Sequence, residues 1–308
     1  MSRLRLSGIV GPIPRPVVSC RCRVLMRTRY PAIVAPLSLM MAVASPFLAS
    51  CGARGGHVRL EERFAVVNGV RLHYIDWGGE GESLLFLTPL GGELLEQFGS
   101  LAPHFTDRFR VLGLTRRGQG RSEKPTGDYD TDTLVRDIVG FLDAMGVSQA
   151  HVAGQSVAWA EMTRLAVVHP SRVLKLVYLD AAVDYKLSAE LAAEVGFGPP
   201  EDPALAAILR GAAMRHPEYR SVRAPALNIA VVFDGPIPVR PEDDEAYKKF
   251  VKLAEQRDVV GARIKQFERG VARGETLLLR NTTHAGFVAD PAQQKVFVPI
   301  MREFLLRR

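Results

Sequence analysis

From Phe64 to the C-terminus, short apolar runs of strand length alternate with longer amphipathic stretches, and this alternation limits the fold more than any other feature of the chain. Residues 83–88 (SLLFLT) and 109–114 (FRVLGL) are apolar throughout, as strands are when helices cover both faces of a parallel sheet. Between such runs, TDTLVRDIVGFLDAMG sets Leu134, Ile138, Phe141 and Leu142 at helical spacing and stops at Gly146, a natural C-terminal cap. The pattern predicts an α/β fold with a mostly parallel central sheet flanked by helices.

The remaining segments fit the same plan. RFAVVNGVRLHYIDW reads as two strands turning at Asn68-Gly69, a strong hairpin signal. AHVAG, RVLKLVYLDAA (172–182), APALNIAVVFD and TLLLRNTTH read as further strands, and WAEMTRLAVVH and PAQQKVFVPIMREFLLRR as helices. Residues 183–222 are less regular and are expected to form a small helical cap over the carboxyl edge of the sheet, where open α/β sheets bind ligands. PEDDEAYKKFVKLAEQRDVVGARIKQFERGVA reads as one long charged helical stretch.

The net charge of +7 does not point to nucleic acid. Residues 1–50 hold seven arginines and no Lys, Asp or Glu, and the rest of the chain carries equal numbers of basic and acidic residues, so the folded part lacks a basic footprint. Cys20, Cys22 and Cys51 all lie at or before position 51, which leaves the remainder without thiols for a disulfide or a zinc site; neither a metal nor a cofactor is expected.

The first 51 residues read as an export signal. PAIVAPLSLMMAVASPFLAS follows Arg27 and Arg29 and is broken by Pro36 and Pro46, which suits a leader better than a spanning helix. Leu48-Ala49-Ser50-Cys51-Gly52 resembles the lipobox of bacterial lipoproteins and implies lipidation at Cys51; simple cleavage beside a cysteine is the alternative. Met26 would begin a leader of more ordinary length than Met1. Residues 52–61 then form a tether and 62–308 the folded domain, exported to the periplasmic side of the envelope or secreted, with membrane contact only through the N-terminal anchor.

The segment that carries chemistry is Gly154-Gln155-Ser156-Val157-Ala158, set between a strand and a helix. A serine hydroxyl is a weak nucleophile and must be lifted clear of the backbone and given a base. A sharp strand-to-helix turn does the lifting, and it needs small residues two before and two after the serine. Gly154 meets the first requirement, and Ala158 adds one Cβ at the second. Ser156 is followed in the chain by an Asp at a strand end and then by a late His, the order found in α/β-hydrolases.

On these features the chain from about residue 62 resembles α/β-hydrolase-fold proteins of the esterase, lipase and haloperoxidase-like group. RFRVLGLTRRGQGRSEKP resembles the loop after that family's fourth strand, RVLKLVYLDAA its sixth strand and TTHAGFVADP its histidine loop. The resemblance implies Ser156 as nucleophile and His284 as the base that takes its proton. The other six histidines lie in the tether, the hairpin, a polar turn, at a strand start or before a proline. For the orienting acid it implies Asp234, at the end of the seventh strand, with Asp180 or Asp184 after the sixth as the alternative. The 50 residues from Asp234 to His284 are long for the fold and would be explained by an extra helix.

The oxyanion hole is expected from the backbone N–H groups of Val157 and Leu90, the latter in Thr88-Pro89-Leu90-Gly91-Gly92, where relatives usually carry His-Gly before the donor. Proline offers no N–H, so a shift of one position would remove the donor. Phe197 and Leu90 are candidates for an apolar pocket lining, or simply core residues. The implied activity is cleavage of a small ester, with amide, lactone and cofactor-free haloperoxidase-like chemistry left open. The competing reading is an inactive homologue, marked by Pro89 and Ala158, that binds or scaffolds at the cell envelope.

Overall fold

The computed structural model describes residues 61–182, 185–239, 241, 243–280, 282–284 and 286–308. The leader, Cys51 and residues 52–60 of the tether lie outside the described residues, as does Asp184. No helix among the described residues is long and apolar enough to cross a membrane.

The chain opens with β1 (Glu61–Val67) and β2 (Val70–Gly78), joined at Asn68-Gly69 with both residues at positive φ. It continues through β3 (Glu82–Leu87), a short α1 (Leu94–Phe98), β4 (Phe109–Leu114), α2 (Thr131–Ala144), β5 (Ala150–Gln155), α3 (Ala158–Val168) and β6 (Val173–Leu179). Helices α4 (Tyr185–Glu194) and α5 (Pro203–Ala213) precede β7 (Ala226–Val232); α6 (Glu245–Gln256) and α7 (Val259–Gly270) precede β8 (Gly274–Arg280), and α8 (Pro291–Leu306) ends the chain.

The eight strands form one sheet in the order β1-β2-β4-β3-β5-β6-β7-β8, antiparallel where β2 meets β1 and β4 and parallel in every other pairing. The alternation of side chains along a strand divides the core between two faces. Leu85 and Leu87 join Val152 and Tyr178 beneath α2 and α3, whereas Leu84 and Phe86 join Val177 and Ile229 beneath α1 and α8. Both faces are apolar and covered, which is why the central strands read as unbroken hydrophobic runs.

Two local features position the site. Chain order reverses around β3, which has β4 on one side and β5 on the other, so the loops leaving β3 and β5 emerge side by side, with Leu87 paired to Gly154. Such a reversal point is where open α/β sheets hold ligands. Separately, the charged stretch expected as one long helix is two. Asp258 adopts φ +46° and its carboxylate accepts the N–H of Gly261, ending α6 and starting α7. Any Cβ at Gly261 would meet that carboxylate, so the cap and the glycine belong together. Leu191 of α4 packs with Ala254 of α6 and Val259 of α7 in a small separate core, and Phe197 packs on Tyr247 and Phe250 of α6.

Candidate active site

The backbone makes its sharpest turn at Ser156, which sits at φ +55° between β5 and α3. A non-glycine residue there costs about 1–2 kcal/mol and persists only where the surroundings impose it. The packing explains how Ala158 is tolerated. A Cβ on Gly154 would lie 2.7 Å from the Cβ of Ala158 and 2.5 Å from the sulfur of Met162, so the methyl of Ala158 occupies space that Gly154 leaves empty. One glycine suffices for the close strand-to-helix approach.

His284 is held by two contacts, one to this turn and one to the end of β6. The buried Gln155, immediately before Ser156, donates from Nε2 to the His284 carbonyl at 2.6 Å and accepts at Oε1 from Gln97 of α1. The imidazole Nδ1 donates to Asp180 Oδ2 at 2.6 Å. The ring is half exposed (side chain 48%), whereas the Asp180 side chain is 3% exposed. Asp180 follows the last residue of β6 at φ +47°. Its other oxygen, Oδ1, accepts the N–H of Val231 at 3.0 Å and Arg263 Nη2 at 2.6 Å.

Burial pushes the Asp180 carboxyl upward, but the charge of Arg263, the hydrogen bond and charge of His284 and the Val231 N–H outweigh it and hold the group at about 2. A carboxylate ionised at neutral pH can only accept, so the His284 proton belongs on Nδ1 and Nε2 is left with a lone pair. The depressed value also has a stability consequence. Asp180 contributes on the order of 2 kcal/mol to folding above its unfolded value of about 3.9, and loses that contribution as pH falls through about 2. Urea unfolding of wild type and Asp180→Asn at pH 7 and pH 3 is expected to show the difference between them shrinking at the lower pH.

The acid expected from the sequence is therefore corrected. Asp234 does not reach the histidine; it is an exposed residue paired with Arg280. The register gives the reason. Gln155 pairs with Leu179, so Ser156 and Asp180 each leave adjacent strands one residue later at the same level. Asp234 lies two residues past Val232 on β7, which is not a neighbour of β5 and whose last pairing is with Arg280.

The loop after β3 runs beside the turn at Ser156. Among the described residues, neither the N–H of Leu90 nor that of Val157 is paired with a backbone acceptor. The loop is fastened from below. Arg116 donates to the Thr88 carbonyl at 2.7 Å and to that of Pro89 at 3.3 Å, and Gln119 donates to the Pro89 and Gly92 carbonyls at 2.8 and 2.9 Å. Arg116 is itself paired with Glu161 of α3, both side chains at most 5% exposed. Leu90 packs against the core, and Leu205 of α5 covers Gly91. The sequence pointed to Ser156, Val157, Leu90 and His284 but not to Gln155, Arg116, Gln119, Glu161 or Arg263. The signal available for Arg116 and Glu161 was a charged pair inside otherwise apolar or loop-forming segments.

A strand-turn-helix serine, a histidine on the β8–α8 loop and a β3 loop beside them, set on a mostly parallel eight-stranded sheet, define an α/β-hydrolase fold. Residues 82–221 match the family described as alpha/beta hydrolase fold. A 136-residue segment, 44% of the chain, is 32% identical to the dihydrolipoyllysine-residue acetyltransferase component of the acetoin cleaving system of Cupriavidus necator, over 33% of that protein. A 117-residue segment, 38% of the chain, is 31% identical to the N-formylmaleamate deformylase of Pseudomonas putida, over 43% of its length. The matches thus span well under two thirds of these relatives. The solved structure of E-2-(acetamidomethylene)succinate hydrolase superposes with a TM-score of 0.62 at 16% identity, covering 80% of this chain and 99% of that one.

Proposed function

We propose that this protein is a serine hydrolase that cleaves a small carboxylic ester through an acyl-serine intermediate, with amide and lactone bonds as the nearest alternatives. The observation that carries the reading is the Asp180–His284 hydrogen bond, joined through Gln155 to the strained turn at Ser156. His284 Nε2 removes the proton from Ser156 Oγ as the oxygen attacks the substrate carbonyl carbon. The resulting oxyanion lies between the N–H groups of Leu90 and Val157, each such donor being worth about 3 kcal/mol. Collapse expels the alcohol, which takes the proton from His284; water then repeats the steps on the acyl-serine and releases the acid.

The deformylase and hydrolase named among the similar proteins support acyl chemistry without selecting the substrate. A panel of p-nitrophenyl esters of graded acyl length, run beside Ser156→Ala, tests the reading. Turnover of short esters that disappears in the variant is expected. Wild-type protein that leaves esters, amides and lactones all intact would favour the non-catalytic homologue instead.

Export with lipidation at Cys51 belongs to the same proposal and rests on residues 48–52. Cells fed an alkyne-tagged fatty acid are expected to label the wild type and not Cys51→Ser. Equal absence of label from both would leave simple cleavage as the better account.

A further inference from the structure

Holding a carboxylate in orientation beside a histidine needs little more than a backbone donor on its far oxygen, and Asp180 has one in the Val231 N–H at 3.0 Å. It has a full positive charge there as well. Arg263 Nη2 lies 2.6 Å from Oδ1, and its side chain is only 12% exposed. The arginine comes from α7, in the insertion between β7 and β8, and reaches back across 83 positions of sequence to the carboxylate that the histidine uses. A guanidinium on one oxygen and an imidazole on the other draw on the same negative charge.

We propose that Arg263 is a positioning residue of the reaction, one that acts through Asp180 to set the pH above which His284 is free to accept the serine proton. The proposal rests on the triad reading given above. Among the described residues, the charged side chains hydrogen-bonded to Asp180 are Arg263 and His284; elsewhere on the neighbouring elements Asp234 pairs with Arg280 at the ends of β7 and β8, and Asp258 faces Lys265 of α7 at 3.6 Å at exposed positions. β5 contributes the neutral Gln155. Among the described residues, Arg263 is thus the cation in direct contact with the carboxylate besides the histidine itself.

The direction of the effect follows from charge. With Arg263 present, protonated imidazole meets a carboxylate whose charge is already partly countered, so the proton is released at lower pH. With the guanidinium removed, imidazolium becomes the only counter-charge in contact with Asp180, and the proton is held to higher pH. At an effective dielectric near 20, a unit charge about 7 Å away across the carboxylate would move the titration by somewhat under two pH units, and solvent screening of the half-exposed ring lowers this to about one.

The test has two readouts on Arg263→Met, Arg263→Gln and Arg263→Lys. The pH profile of kcat/KM is one. The other is the titration of His284 in resting protein, followed by NMR of ring-labelled histidine and assigned with His284→Gln. In Arg263→Met and Arg263→Gln both curves are expected to move up by about one pH unit. In Arg263→Lys, which keeps the charge, they stay within a few tenths of wild type. Gln retains a donor without a charge, so a Gln variant that titrates like wild type, or lower activity with an unmoved titration, overturns the proposal. Should either uncharged variant fail to fold, the other still decides. The NMR titration needs no turnover, so a protein inactive on every ester would remove the triad reading and still report on Arg263.

Discussion

Asp180→Asn is expected to lower kcat/KM by about 10⁴-fold with little change in KM, and Asp234→Asn to leave both within about two-fold. The site dictates how the new amide would sit. Arg263 and the Val231 N–H both donate to the Oδ1 position, so the amide oxygen faces them and the NH₂ faces His284. An NH₂ group toward Nδ1 stabilises the tautomer whose proton is on Nε2, the atom that must accept from Ser156. The geometry survives and the base is lost. Asp234, by contrast, gives up one exposed ion pair with Arg280. Steady-state kinetics on whichever ester the panel identifies checks both outcomes, and equal losses in the two variants would contradict the assignment.

The second large effect is on stability. Arg116→Met is expected to cost 3–5 kcal/mol, roughly 10 °C in Tm, because it strands the Glu161 carboxylate in the interior. Replacing both partners, Arg116→Met with Glu161→Met, is expected to recover most of that loss, since removing a buried pair together leaves no uncompensated charge. Catalysis is not expected to recover with it. The Thr88 carbonyl still lacks the donor that Arg116 gave it and the Pro89 carbonyl keeps only Gln119, so Leu90 is held less firmly and kcat stays reduced while KM changes little. Thermal melts and kcat of the two variants separate the roles; full recovery of kcat in the double variant would show that the loop needs no fastening from Arg116.

What the sequence disclosed and what it withheld divide along a physical line. Strands such as 83–88 and 109–114 were legible because burial on both faces leaves an unbroken apolar run. The turn at Ser156 was legible because small residues and a strand-to-helix change mark it locally, and His284 because it stands just past a strand. The choice between Asp180 and Asp234 was not, because each ends a strand and spacing alone cannot show which strand lies beside β5. Lateral order and register decide that, and both are tertiary. The helix break at Asp258 escaped notice because only a left-handed backbone conformation at a polar residue produces it. The pairing of Arg116 with Glu161 spans 45 positions and that of Arg263 with Asp180 spans 83, distances at which sequence pattern carries no signal.

The central claim is that Ser156 is made nucleophilic by His284 and Asp180. A fluorophosphonate probe followed by intact-mass and peptide-mapping spectrometry tests it most directly. A single adduct on Ser156 is expected in wild type and in Asp234→Asn, with labelling slowed severely in Asp180→Asn and His284→Ala. An adduct mapped to another residue, or Asp180→Asn protein labelled as fast as wild type, would contradict the account.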